Sequence, residues 1–146
     1  MDKADIGAIG ERLVLVELLK RDVEVAVPVV DRGLDLIAFA TAPTPRAVPL
    51  QVKTTPGANF TVHRAWERVG GLVIVYVFDV ATRPSFYLLT YGDAVSIAGR
   101  WTNLSTSVSW NDPKRGNHDW SSLTQEKRGE LRPFADRWDL VTARLR

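Results

Sequence analysis

The chain contains no cysteine, so no disulfide can staple it, no thiolate can act as nucleophile, and no cysteine-based zinc site can form. Histidine is almost as scarce, with His63 and His118 the only two. A histidine-rich metal centre is therefore excluded, and any metal must be held mainly through oxygen. No uninterrupted apolar run approaches the roughly 20 residues that a membrane helix needs. The start, MDKADIGAIGER, lacks the basic head and apolar middle of an export signal, so a cytoplasmic location without a membrane partner is expected. Neither sign of charge is in large excess: 19 Lys/Arg stand against 17 Asp/Glu, for a net charge of +2 and a pI near 9.1. That balance neither demands nor excludes a nucleic-acid partner. No internal repeat and no low-complexity tract is present.

What remains is 146 residues of which 45% are hydrophobic, enough for a real core and too few for two comfortable ones. A single α/β domain over residues 1–146 is expected, with residues 99–146 as a Trp-rich basic extension packed on it. The basic surplus lies there: residues 1–98 carry 10 Lys/Arg against 11 Asp/Glu, and the remainder 9 against 6.

The segment from Asp5 to Lys20 places Ile6, Ile9, Leu13 and Val16 on a helical stripe that Leu15, Leu18 and Leu19 widen. Such a helix packs against a sheet, with Asp2 or Asp5 as its cap and Lys20 and Arg21 at its negative end. Gly7 and Gly10 each cost about 1 kcal/mol inside a helix, a cost that close approach to the sheet or room for a ligand would explain. Glu11, an acid among small and apolar neighbours, is either a site residue or part of a solvated face paired with Arg12.

EVAVPVV (Glu24 to Val30) reads as a short strand, with Pro28 favouring an edge or bend. The runs LDLIAFA and AVPLQVK, joined by TAPTP, read as an antiparallel hairpin. A turn symmetric about Pro43 sets Asp35 opposite Gln51, with Cβ atoms roughly 5 Å apart and Lys53 within about 8 Å on the same face. Leu34, Leu36 and Ala38 then stack against Val48, Leu50 and Val52 on the other face. A slip by one residue would drive the polar trio into the core. TVHRAWERVGG holds one or two helical turns, and LVIVYVFDV is the central, doubly buried strand. SFYLLTY is its antiparallel partner, followed by a short helix in GDAVSIAG. Beyond Trp101, NDPKRGNHD is a long polar loop, Ser122 and Gln125 form a capping box for a helix toward Arg132, and Pro133 bends or ends that helix. Phe134, Trp138, Leu140 and Val141 dock the tail.

Two acids, an amide oxygen and a lysine on or beside one sheet suit a hard cation. Glu11, Asp35, the Gln51 side-chain carbonyl and a backbone carbonyl near Val52 form a candidate shell for Mg²⁺ or Mn²⁺. Such an ion lowers the pKa of a bound water and neutralises phosphodiester charge, while Lys53 orients the water or stabilises the transition state. Phosphodiester hydrolysis is the matching reaction. Taken singly, a strand-start aspartate is more often a turn cap and a strand lysine more often an edge protector. Asp31 is a further candidate acid, although capping the turn through Gly33 is its simpler role. His63 and His118 are most simply surface or hydrogen-bonding residues, and the tryptophans core anchors with paired indole N–H groups.

GAIGERLVLVELL, GLDLIA and PLQVKTT, spanning roughly residues 5–55, together resemble the signature of the PD-(D/E)XK, or restriction-endonuclease-like, nucleases. The resemblance implies a mixed central sheet flanked by helices, with an N-terminal helix followed by the site-bearing hairpin. It also implies a helix acid at Glu11, the strand aspartate at Asp35 and the half-motif Gln51-x-Lys53. The activity implied is metal-dependent DNA endonuclease, with Lys114, Arg115, Lys127, Arg128 and Arg132 as candidate phosphate contacts and a homodimer as one possible assembly. The alternative is a catalytically inactive descendant that binds nucleic acid or a protein partner. Leu34 stands where the signature often has proline, and Gln51 where it has an acid, which replaces a full charge by a dipole at the metal. The stretch between Lys53 and Leu72 is also short for the crossover helix of such folds, unless His63 to Val69 supplies a reduced one.

Overall fold

The computed structural model describes residues 1–30 and 32–146. Asp31, the further candidate acid, lies outside the described residues. The first helix, α1, runs Lys3–Leu19, and Asp2 caps it by accepting the Asp5 N–H at 2.8 Å. Its buried side is Gly10, Val14 and Leu18. The expected stripe is thus rotated, and Ile9, Val16 and Leu19 are exposed. The cause is Gly10. A Cβ there would stand 1.6 Å from Thr54 Oγ1, so helix and sheet meet backbone-first at that point.

The strands are β1 (Glu24–Ala26), β2 (Leu36–Ala40), β3 (Arg46–Thr54), β4 (Phe60–His63), β5 (Val73–Phe78), β6 (Ser85–Thr90) and β7 (Asn117–Trp120). Among the described residues they form a five-stranded sheet in the order β1-β2-β3-β5-β6 and a two-stranded β4-β7 sheet. All pairs are antiparallel except β3 with β5. The hairpin register places Leu36 opposite Leu50 and Ala38 opposite Val48, as the turn about Pro43 requires. β1 is an edge strand, in keeping with Pro28. The middle position belongs to β3 and not to LVIVYVFDV. β5 lies beside it and is buried along its whole length, because layers cover both faces and β6 closes its outer side. The β5 ladder begins at Leu50, one residue past Pro49, so the position that lacks an N–H is not asked to bond there.

Each face of the sheet has its own core. On one, Val14 and Leu18 of α1 pack with Leu36, Leu50, Val52, Val73, Val75 and Val77. On the other, Phe60, Trp66, Ile74, Tyr76, Phe78 and Leu89 pack with Ala94, Ile97 and Ala98 from the second helix, α2 (Tyr91–Trp101). β3 and β5 are parallel and need a crossover connection. Here it consists of β4 and a 3-10 turn over Arg64–Arg68, so only the middle of TVHRAWERVGG is helical.

The segment NDPKRGNHD, expected as a polar loop, leaves α3 (Val108–Asn111) and runs into β7, which pairs with β4. Its Asn, Asp and Gly content hides a strand whose reason lies in its distant partner. The next helix, α4 (Gln125–Glu130), is capped by Thr124, whose hydroxyl accepts the Lys127 N–H at 3.2 Å. Ser122 instead sits at φ 49° in the turn before it, and Pro133 opens a following 3-10 turn. A final helix, α5 (Asp139–Thr142), lets Trp138, Val141 and Leu145 join the α1-side core, while Trp120 and Leu131 join the other. The indole N–H groups of Trp101 and Trp120 donate to Glu130 and Thr102. That of Trp138 is buried without a partner among the described residues, contrary to expectation. No described helix is long and apolar enough to cross a membrane.

Candidate active site

The antiparallel ladder between β2 and β3 stops at Leu36 and Leu50, and the two strands part immediately beyond it. Asp35 sits at that fork. Its backbone N–H donates to Leu50 O at 3.0 Å. Its carboxylate Oδ2 accepts from the Gln51 side-chain amide at 2.8 Å and from the Val52 N–H at 2.7 Å. The second bond follows from the first feature, because Val52 N–H has no β2 backbone left to pair with and the carboxylate takes the place of the missing strand. Gln51 is buried and pairs in register with Ile74, and Lys53 with Tyr76. Both therefore project on the face opposite α1.

Gln51 and Lys53 line an open cleft of about 320 Å³ with Arg32, Gly33, His63, Ala65, Trp66 and Val69. The Lys53 ammonium lies 5.7 Å from the centre of the Trp66 ring, within cation–π range. The His63 ring meets the same indole at a 54° tilt, with centres 4.9 Å apart. Burial lowers the His63 pKa from its ordinary value, the neighbouring Lys53 charge lowers it further, and Asp119 partly opposes both. A neutral imidazole next to a lysine is thus the resting state near pH 7. His118 has a plainer role: its Nδ1 shares a 2.7 Å hydrogen bond with Ser107 Oγ.

Glu11 comes from the opposite face. It is half-buried on α1 and lines a separate cavity of about 250 Å³ with Arg12, Leu15, Val27 and Leu36, the last being the residue after Asp35. Among the described residues, no group of three or more His, Asp and Glu side chains is gathered closely enough to hold a metal.

The basic candidates fall into two places. Lys114 and Arg115 line a cleft of about 300 Å³ with Arg64 and Arg68. Lys127, Arg128 and Arg132 belong to α4 and the turn after it, where Lys127 lies over the Trp101 ring at 5.6 Å and Arg128 bonds Asp79 at 2.8 Å. The composition of the crossover gave no weight to His63, Trp66, Arg64 or Arg68. The signal was the alternation Phe60-Thr61-Val62-His63, buried at every other position, which marks a strand and turns His63 toward the cleft side.

No family model matches the chain, and no curated protein matches it. Among solved structures it is similar to a bacterial homing endonuclease, at a TM-score of 0.58 and 14% sequence identity, covering 99% of this chain and 94% of that one. At that identity the likeness is one of fold, and it is a nuclease-like fold that the mixed sheet and flanking helices share.

Proposed function

We propose that this chain is a metal-dependent nuclease that hydrolyses phosphodiester bonds of DNA in the cleft beside Lys53. The observation that carries the reading is the junction of Asp35, Gln51 and the Val52 N–H at the fork of β2 and β3, with Lys53 one pleat further on the same face. The nuclease-like fold supports it. The donor set suits a hard cation, since it offers the Asp35 carboxylate, the Gln51 amide oxygen and the Val52 carbonyl, which projects to the same side of β3 as the Val52 N–H. Glu11, in a cavity with the residue next to Asp35, is the second carboxylate. A bound Mg²⁺ or Mn²⁺ supplies Lewis acidity toward a phosphodiester oxygen.

The remaining work belongs to the side chains. Lys53 Nζ, steered by the Trp66 face, holds a phosphoryl oxygen and stabilises the charge that builds on it. Gln51 holds the Asp35 carboxylate by its amide N–H and fixes the orientation of that group. The walls formed by Trp66 and Val69 keep part of the cleft apolar, which strengthens each charge interaction inside it.

One observation favours a second reading. Asp35 already accepts two N–H donors, as a purely structural strand cap would, and a neutral Gln51 weakens the field for a cation. On that reading the chain is a nuclease-fold protein that binds nucleic acid or a protein partner without cutting. The experiment that separates the two is cleavage of DNA by purified protein with Mg²⁺ or Mn²⁺. The nuclease reading expects nicking or cutting that falls at least about a hundred-fold in Asp35→Ala or Lys53→Ala, with thermal unfolding still cooperative. Equal cleavage by wild type and both variants identifies a contaminant and ends the claim. No cleavage under any divalent ion, together with retained DNA binding in EDTA, supports the second reading.

A further inference from the structure

We infer that a nucleic-acid strand leaves the Lys53 cleft over the 3-10 turn Arg64–Arg68 and is held by its phosphates in the neighbouring basic cleft of Arg64, Arg68, Lys114 and Arg115. The inference rests on the nuclease reading for the position of the scissile bond, and on the geometry of the basic cleft for everything else.

The two clefts are contiguous. Ala65 lines both, a small exposed residue between them that leaves a low wall. The basic cleft draws its cations from two segments far apart in sequence, the crossover turn and the α3–β7 loop, which the β4–β7 ladder brings side by side. His63 is opposite Asn117 in that ladder, so Arg64 follows directly onto the loop, and its N–H donates to Gly116 O at 2.7 Å. The loop has a defined shape. Asp112 Oδ1 accepts the N–H groups of Lys114 and Arg115 at 2.7 and 3.2 Å, and Gly116 takes φ 55° against the Arg64 side chain.

The charges are also unpaired by acids among the described residues, although the Arg64 guanidinium donates to Asp112 O at 3.3 Å. Among the described residues, none of these four side chains enters an ion pair, whereas Lys20, Arg21, Arg100, Arg128 and Arg137 do. Glu67 is the acid that lines the cleft beside them, and Asp112 adds a carboxylate at the base of the loop. Four cations against these two acids leave a local positive surplus in a concave surface, which attracts a chain of phosphates. Lys127 and Arg128, engaged with Trp101 and Asp79, lie outside this path.

The test is the salt dependence of binding, measured with Asp35→Ala protein in EDTA so that cutting plays no part. The probes are a mixed-sequence duplex DNA and an oligothymidylate. Each phosphate contact contributes a slope of about −0.9 in log K against log salt for duplex and about −0.7 for a single strand. Arg68→Gln should reduce the slope by one such unit and Lys114→Gln/Arg115→Gln by two. Each lost contact therefore shrinks the affinity drop between roughly 50 and 200 mM salt by about 3.5-fold for duplex. Arg83→Gln, an exposed cation on the β5–β6 turn, should leave the slope unchanged. Unchanged slopes in the cleft variants, or an equal reduction in Arg83→Gln, overturn the inference. Reduced slopes in a protein whose wild type never cuts DNA keep the track and remove only the nuclease reading.

Discussion

Gly7 and Gly10 stand one turn apart on α1, and replacing each with alanine should move stability in opposite directions. Alanine in a helix interior is worth about 1 kcal/mol over glycine. At Gly7 an added Cβ meets nothing within 4 Å, so Gly7→Ala should gain close to that amount. At Gly10 the same carbon would lie 1.6 Å from Thr54 Oγ1, 2.6 Å from its Cβ and 2.7 Å from its Cγ2. Rotating the threonine moves its oxygen and methyl but not its Cβ, which β3 fixes, so helix and strand must separate. Overpacking of this kind costs roughly 1–3 kcal/mol. The backbone-anchored contact puts the cost at the upper end, and Gly10→Ala should lose about 1–2 kcal/mol net of the helix gain. Urea unfolding followed by circular dichroism reads both values, with unchanged slopes confirming that only stability has moved. Thr54→Gly in the Gly10→Ala background should recover part of the loss, giving a coupling of at least about 1 kcal/mol in a double-mutant cycle. If Gly7→Ala and Gly10→Ala stabilise equally, the backbone contact that seats α1, and with it Glu11, is wrong.

Gln51→Glu should replace the 2.8 Å amide bond to Asp35 by two facing carboxylates. The new carboxyl has a folded pKa above its unfolded value, so the variant should lose about 2 kcal/mol relative to wild type as pH rises from about 4 to about 6, and little below about pH 4. Added Mn²⁺ should restore that loss and bind more tightly by calorimetry; a variant insensitive to Mn²⁺ would show that the side chain does not face a cation site. His63 should make the protein less stable in acid. Its folded pKa lies below its ordinary value of 6.5, so the unfolded chain takes the proton first and stability falls as pH drops from about 6.5 toward the folded value. His63→Gln should flatten the melting temperature over that range, and an unchanged slope would assign the acid loss to other groups.

The hairpin was the most legible part of the chain, because two constraints agreed on it. Turn symmetry about Pro43 and burial of Leu36, Leu50 and Val52 on one face select the same register, and the register alone carries Asp35 to Gln51. The side of α1 that is buried was not legible from apolar spacing, since leucine, isoleucine and valine surround most of the helix and a period cannot be read from a full circle. The glycine was the better guide: Gly10 marks the contact and Ile9 does not. The walls of the cleft were harder still. His63 and Trp66 take their places from β4, and β4 from β7, a pairing between distant polar segments that no local pattern announces. Thr124 rather than Ser122 caps α4 for a similar reason: the Ser122 N–H bonds Asn59 Oδ1 at 2.8 Å and its backbone turns at φ 49°, so Thr124 is the residue that enters the helix from extended backbone.

The β4–β7 ladder also dictates the order in which the molecule can mature on the ribosome. Asp35, Gln51 and Lys53 emerge before β4 and β7, and β2 and β3 can zip up as soon as they do. β4 waits for a partner some 57 residues further along the chain, and long-range pairing of this kind is slow to close. A nascent chain halted before Asn117 would hold the fork of β2 and β3 without a fixed wall of Trp66 and His63 beside it. The geometry of the cleft beside Lys53 is thereby withheld until β7 has been made, by topology alone.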